Sequence, residues 1–426
     1  MNILLLGSGG REHALAWKIN QSKDAHVLYI APGNAGTSNC GMNVLLDLND
    51  FESIAQFCVD NKIEMLIVGP EEPLVKGLYD YFKSKPALEK ILFVGPSQQG
   101  AALEGSKAFA KAFMMKHHVP TAGYKEFTLE NYTEGVQYLQ QHSLPIVLKA
   151  DGLAAGKGVV ICHNPVEAIA EFELMIQQSK FGEASKKVVV EEFLDGIEMS
   201  VFVLTDGKNY VLLPNAKDYK RIGEGDKGLN TGGMGAVSPV PFATPSFMSK
   251  VEERIIKPTI NGLQEDGIDY KGFVFIGLIS VGGEPFVIEY NCRLGDPETE
   301  VIIPRLKNDL IHLFEHTCKQ ELDQVKIEMD SRTAITIVAV SGGYPGAFEK
   351  GFAIEGLDNE LGEDSLVFHA GTKSDGEAIL TNGGRVLCVT SFAETVYDAV
   401  EKSRDVLEQI YFEGIYYRRD IGYEFL

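Results

Sequence analysis

The sequence predicts an α/β fold that opens with a doubly wound parallel sheet and passes into α+β structure with antiparallel pairing. Two observations carry this. Residues 1–100 repeat one unit: a short apolar run, a turn of glycine or proline, then a helix-like segment. After Gly105-Ser106 the texture changes to hairpin signals at Asp206-Gly207 and Gly282-Gly283.

The expected first strands are Ile3–Leu6, Val27–Ile30, Met65–Val68 and Ile91–Val94. Continuous apolar strands alternating with helices mark a sheet covered on both faces. Ligands of such sheets bind at the carboxyl ends of strands, here the turns Gly7-Ser8-Gly9-Gly10, Ala31-Pro32-Gly33, Gly69-Pro70 and Gly95-Pro96. Next come a helix over 107–117 with Ser106 as N-cap, a helix near 130–142, and two strands, 145–149 and 159–162, around a small-residue tip. From about 326 a last segment has strands near 333–340 and 385–391 and a helix near 394–410.

At 426 residues the chain is long enough for about three domains, and 45% hydrophobic residues supply their cores. A formal charge of −21, without a long acidic block, argues against nucleic acid as the main partner. It leaves room for small phosphorylated ligands in a local pocket. The six cysteines, at 40, 58, 162, 292, 318 and 388, lack zinc or redox spacing and read as reduced thiols. MNILLLGSGGREH has too short an apolar run for a signal peptide, and no stretch is long enough to span a bilayer. A cytoplasmic, non-membrane protein is expected.

Five motifs carry chemistry. Gly7-Ser8-Gly9-Gly10-Arg11-Glu12 fails the dinucleotide fingerprint, because Glu12 stands where a third glycine belongs and no acid ends the second strand. The turn either suits a phosphate at the helix start, with Arg11 beside it, or serves only strand-to-helix geometry. Lys149-Ala150-Asp151-Gly152-Leu153-Ala154-Ala155-Gly156-Lys157-Gly158 sets two lysines around a loop small enough for its amides to approach phosphate oxygens, without Walker spacing. A plain surface hairpin is the alternative. Val188–Val190 running into Glu191-Glu192-Phe193-Leu194 and Glu198 suits an adenine slot or a solvated strand end. In Ile288-Glu289-Tyr290-Asn291-Cys292-Arg293-Leu294-Gly295-Asp296-Pro297-Glu298, residues 289 and 291 share a strand face that Val287 begins as apolar. Two polar oxygens there suit magnesium bridging ATP phosphates, or a turn held by local salt bridges. Asp218-Tyr219-Lys220-Arg221 with Asn230-Thr231-Gly232-Gly233-Met234-Gly235 reads as backbone near a ligand, a hinge or an ordinary loop. His13 and Trp17 read as packing residues, and His117-His118 as a helix end.

Together these segments resemble the glycinamide ribonucleotide synthetase (phosphoribosylamine–glycine ligase) family of the ATP-grasp superfamily, nearly end to end. The resemblance runs from GSGGREHALAWK and APGNAGT through VGPEEPLVKG, LEGSKAF, LKADGLAAGKGV, EEFLDG, NTGGMGA, IEYNCRLGDPE, VSGGYPG, FHAGT and TNGGRVLCVT to RRDIGY. It implies a pre-ATP-grasp domain at 1–103, an ATP-grasp domain at 104–325 with a mobile subdomain at about 123–192, and a small β-rich closing domain at 326–426. It implies that ATP phosphorylates the carboxylate of glycine and that the amine of 5-phosphoribosylamine displaces the phosphate, in purine biosynthesis. By the same resemblance Lys107 and Lys149 hold ATP phosphates, and Gly152, Gly156, Lys157 and Gly158 cover them. Glu191, Phe193 and Leu194 meet adenine, and Glu198 meets the ribose. Glu289 and Asn291 hold Mg2+ or Mn2+. Arg293, Asp296 and Gly295 lie at the glycine and acyl-phosphate end, with Lys149 counted among the catalytic groups. Gly9, Gly10 and Arg11 lie near the sugar-phosphate substrate, and Asp218 is a substrate-binding residue. Whether that labile amine is handed over by the preceding enzyme is left open.

The chain departs from the family pattern twice. Ala216-Lys217-Asp218-Tyr219-Lys220-Arg221 stands for Ser-Gln-Asp-His-Lys-Arg, and Gly228-Leu229-Asn230-Thr231 for Gly-Pro-Asn-Thr. No fused further enzyme domain of the animal kind is expected.

Overall fold

The computed structural model describes residues 1–153, 158–359, 362 and 364–426. Strands Asn2–Gly7, Val27–Pro32, Met65–Val68 and Leu92–Pro96 pair in parallel. Their side chains divide by alternation: Leu4, Leu6, Leu66 and Val68 enter one core, while Ile3, Leu5, Met65 and Ile67 enter another. Both faces are dry, as continuous apolar strands require.

The sheet continues beyond its expected limit. Leu92–Pro96 pairs antiparallel with the start of Tyr270–Val281, through Pro96 opposite Tyr270 and Gly95 opposite Lys271. A Cβ on Gly272 would lie 3.1 Å from the Gly95 nitrogen, so glycine there lets the two strands close up. Tyr270–Val281 in turn pairs with Ile197–Thr205 and with Glu284–Asn291, giving one nine-stranded sheet. The parallel and antiparallel blocks are thus a single continuous surface rather than two.

Residues 124–192 fold around their own core. Tyr124–Thr128, Lys187–Glu192, Ile146–Ala150 and Val159–Cys162 form an antiparallel sheet in that order. Helices Tyr132–Gln141 and Pro165–Ile176 close it over Phe127, Leu139, Leu148, Phe172 and Val190. Helix Lys107–Lys116 leads in, and the Ser106 hydroxyl accepts from the Phe109 amide at 3.1 Å as its cap.

The last sheet holds Thr333–Val340, Arg385–Ala393 and Ser365–His369, backed by helix Val396–Leu407. It also recruits Gly235–Ser238 and Lys217–Asp218 from mid-chain, so the C-terminal part fixes where Asp218 stands. Among the described residues no helix is long and apolar enough to cross a membrane.

Candidate active site

The metal-type pair is placed by a β-bulge. Along Glu284–Asn291, Val287 faces Leu278 while Glu289 faces Gly277, which leaves Ile288 as an extra residue. The alternation therefore flips. Val287 and Tyr290 enter the core, and Glu289 and Asn291 share the opposite face. The expectation that Val287 begins their face is corrected by this one inserted residue. Thr121 fixes the bulge by donating its hydroxyl to the Val287 carbonyl at 2.7 Å. The Ile288 carbonyl is left to accept from Lys149 Nζ at 3.3 Å.

Cations gather on Glu289. Burial pushes its carboxyl up, but Lys220, Lys149, Lys107 and Arg293 outweigh burial and hold it below the usual range. Neither Glu289 nor Asn291 forms a side-chain hydrogen bond or ion pair among the described residues, so their oxygens fit a divalent ion. Lys107 opens its helix and reaches the Gly152 carbonyl at 3.2 Å. Burial lowers its ammonium, and Glu289 opposes that. Asp151, to which sequence reasoning gave no role, pins the glycine loop to this helix. Its Oδ1 accepts from Ser106 Oγ at 3.0 Å and the Ala108 amide at 2.8 Å. Gly158, at the far side of the loop, gives its carbonyl to the Ala150 amide at 2.8 Å. Gly156 and Lys157 lie outside the described residues.

Around the expected adenine slot, Phe193 is 38% exposed and Leu194 half-buried just past the strand end. Glu198 pairs with Lys220 at 3.3 Å across the opening. The side chain of Glu191 is not free to meet a base. It is buried between Lys149 at 2.9 Å and Lys111 at 3.2 Å. That is an ion-pair role, because a buried carboxylate needs cationic partners.

Near Glu289, the Asp218 carboxyl is raised foremost by burial, with Lys220 opposing and Glu198 adding; Glu298 is likewise raised foremost by burial, with Asp218 adding and Lys220 opposing. The Glu298 carboxylate lies against Gly295, where a Cβ would stand 2.3 Å from Oε2. Glu298 is a site residue that sequence reasoning passed over, although the motif contains it.

Three expected substrate contacts are differently engaged. Arg293 binds Glu104 at 2.6 Å and Glu71 at 3.1 Å, so its guanidinium is anchored from behind. Asp296 pairs with Arg385 at 3.0 Å and accepts from the Arg11 amide at 3.1 Å, which makes it a clamp between chain ends. Arg11 turns inward to Glu12 at 2.6 Å and the Leu294 carbonyl at 3.1 Å. The turn expected to cradle a phosphate is itself filled with acid. Glu12 Oε2 accepts from the Gly9 amide at 2.7 Å, and a Cβ on Gly10 would stand 2.3 Å from Glu300 Oε1. Carboxylates already occupy the helix start and would repel a phosphate there. The glutamate that breaks the dinucleotide fingerprint was the available signal.

Models of the phosphoribosylglycinamide synthetase N domain, ATP-grasp (A) domain and C domain match residues 1–104, 105–299 and 334–424. The chain belongs to the phosphoribosylglycinamide synthetase family. Phosphoribosylamine–glycine ligases of Pasteurella multocida and Vibrio cholerae are 46% and 45% identical to it, over 99% of this chain and 98% of theirs. The crystal structure of phosphoribosylamine–glycine ligase from Thermotoga maritima superposes with a TM-score of 0.82 at 35% identity, covering 99% of this chain and 100% of that one.

The side chain of Tyr219 points away from the cleft. It is 1% exposed in the C-terminal core, donates to Glu424 at 2.7 Å and lies under Lys217 at 4.1 Å. Its neighbours Asp218 and Lys220 carry the cleft-facing charge, as strand alternation dictates.

Proposed function

We infer that the protein joins glycine to 5-phosphoribosylamine at the expense of ATP, releasing glycinamide ribonucleotide, ADP and phosphate in purine biosynthesis. The convergence of Lys107, Lys149 and Lys220 on Glu289 carries the reading. Cations of this density around one carboxylate suit a polyphosphate with its metal. Full-length relatives of the same name support the identity of the substrates.

Glycine's carboxylate is a poor acyl donor, and a phosphoryl group supplies the missing leaving group. Such transfer needs mainly positioning and charge neutralisation. Lys107 and Lys149 hold the phosphates, with Gly152 and Gly158 at the two ends of the covering loop. Phe193 and Leu194 line the base, and Glu198 takes the ribose. Glu289 and Asn291 would hold Mg2+ or Mn2+, which when bound neutralises phosphate charge. The amine of phosphoribosylamine then attacks the glycyl carbonyl and phosphate departs. Asp218 and Glu298 both lie in the field of Lys220, and the ionised member of the pair can receive the proton the amine loses. Gly295 leaves room for the Glu298 carboxylate, while Arg293 and Asp296 keep that turn in place.

ADP release by purified protein tests this. It should require glycine and phosphoribosylamine together, and equal turnover without glycine would defeat it.

A further inference from the structure

Glu191 is shared by two lysines of unequal position. Lys149 belongs to the cleft, where it acts on Glu289. Lys111 is 2% exposed and lies behind it, donating to Thr121 Oγ1 at 2.8 Å and the Ala122 carbonyl at 3.2 Å. Glu191 is 4% exposed and, apart from its ion pairs, its Oε1 has no hydrogen-bond partner. With Lys149 alone, this carboxylate would make a neutral pair and cancel the charge meant for a phosphate. With Lys111 included, the trio carries a net charge of about +1 in a region of low dielectric, where such a difference weighs heavily. Burial draws the Lys111 ammonium down to about 8, and Glu191 opposes that.

We propose that Lys111 is a positioning residue for nucleotide binding: by sharing Glu191 from behind, it leaves Lys149 with surplus positive charge for an incoming polyphosphate. The inference rests on the nucleotide reading of the cleft. It separates Lys111 from an ordinary buried ion pair, whose loss would affect folding without regard to what the ligand carries.

The test uses the full chain and dissociation constants for magnesium ATP and for adenosine, which has the base and sugar but no phosphate. Lys111→Gln keeps amide donors for Thr121 and Ala122 but removes the charge. It should weaken ATP about tenfold and leave adenosine within about twofold. The double variant Lys111→Gln/Glu191→Gln removes one charge of each sign and should return ATP affinity to within about threefold of the unaltered protein. Unchanged ATP affinity in Lys111→Gln would overturn the proposal, as would a double variant no better than the single. If Lys111→Gln does not fold, Glu191→Gln alone decides: retained or tighter ATP binding supports the balance, and a tenfold loss refutes it. Absence of ATP binding by the unaltered protein would instead overturn the reading on which the proposal rests.

Discussion

Glu289 has cations near it and, among the described residues, no side-chain hydrogen bond or ion pair. Its ionised form is held by Lys220, Lys149, Lys107 and Arg293 against the cost of burial. Its removal breaks no specific hydrogen bond or ion pair among the described residues, so the cost to the fold is limited to the lost attraction of these cations. Glu289→Ala should therefore melt within a few degrees of the unaltered protein and lose on the order of a hundredfold or more in kcat. Steady-state kinetics beside a thermal melt measures both, and near-normal turnover would place the metal elsewhere. Glu191, two residues before Phe193 in the sequence's apparent adenine motif, shows the converse. Its carboxylate is wholly engaged by lysines, and only a structure could reveal that one of them is Lys111.

At the scale of the element, the strand Glu284–Asn291 works because it is irregular. The extra residue Ile288 turns Glu289 and Asn291 off the core face and offers its own carbonyl to Lys149. Opposite Glu289 the sheet has Gly277, and a Cβ there would stand 3.1 Å from Glu289 Cγ. That approach is tight but meets a flexible stem, so the carboxylate shifts by a few tenths of an ångström instead of the strand breaking. Gly277→Ala should fold normally and raise the metal concentration needed for half-maximal activity several-fold, since small misplacements of a positioned group are costly. A metal titration at saturating ATP checks it, and an unaltered midpoint would show that Glu289 has slack. Strands were readable from the sequence because apolar runs ending in glycine or proline mark them: Met65–Val68 agrees at both ends and Asn2–Gly7 within a residue. Cleft residues such as Lys149, Glu289 and Asn291 were readable because polar groups at the end of an apolar strand need a partner. The bulge was not, since one inserted isoleucine leaves a strand's composition unchanged. Nor was the pairing of Gly95 with Lys271, which joins segments far apart in the chain. Of the acids that fill the first turn Glu12 was legible, while Asp296 and Glu300 escaped because they join it only in three dimensions.

For the whole molecule, the question is what fastens the C-terminal sheet to the N-terminal one. Asp296 and Arg385 form one fastening. The other is a pair of buried histidines: the His369 amide donates to His13 Nδ1 at 2.7 Å, and the rings lie 5.6 Å apart. Asn34 ties the same place by donating to the carbonyls of Ser8 at 2.9 Å and His369 at 2.8 Å. His13 must be neutral at Nδ1 to accept that bond. Burial, then His369, draws it down to about 3, and burial draws His369 down to about 4. The ordinary value is 6.5, so below it the unfolded chain takes up protons that the folded chain refuses. Both contributions to stability are therefore intact above the unfolded value and are lost as pH falls from there toward the folded ones. Each histidine contributes a slope of at most about 1.4 kcal/mol per pH unit. Buried carboxyls such as Glu104, Glu298 and Glu300 are raised, and so act in the opposite sense. A difference between variants isolates the histidines, because those acids are common to both. Unfolding free energy measured by denaturant at pH 7.5 and at pH 5 should fall more steeply for the unaltered chain than for His13→Gln, which keeps an acceptor for the His369 amide but cannot bind the proton. Parallel lines for the two proteins would mean that His13 already carries a proton where the sheets meet, and that the joint holds without its Nδ1 lone pair.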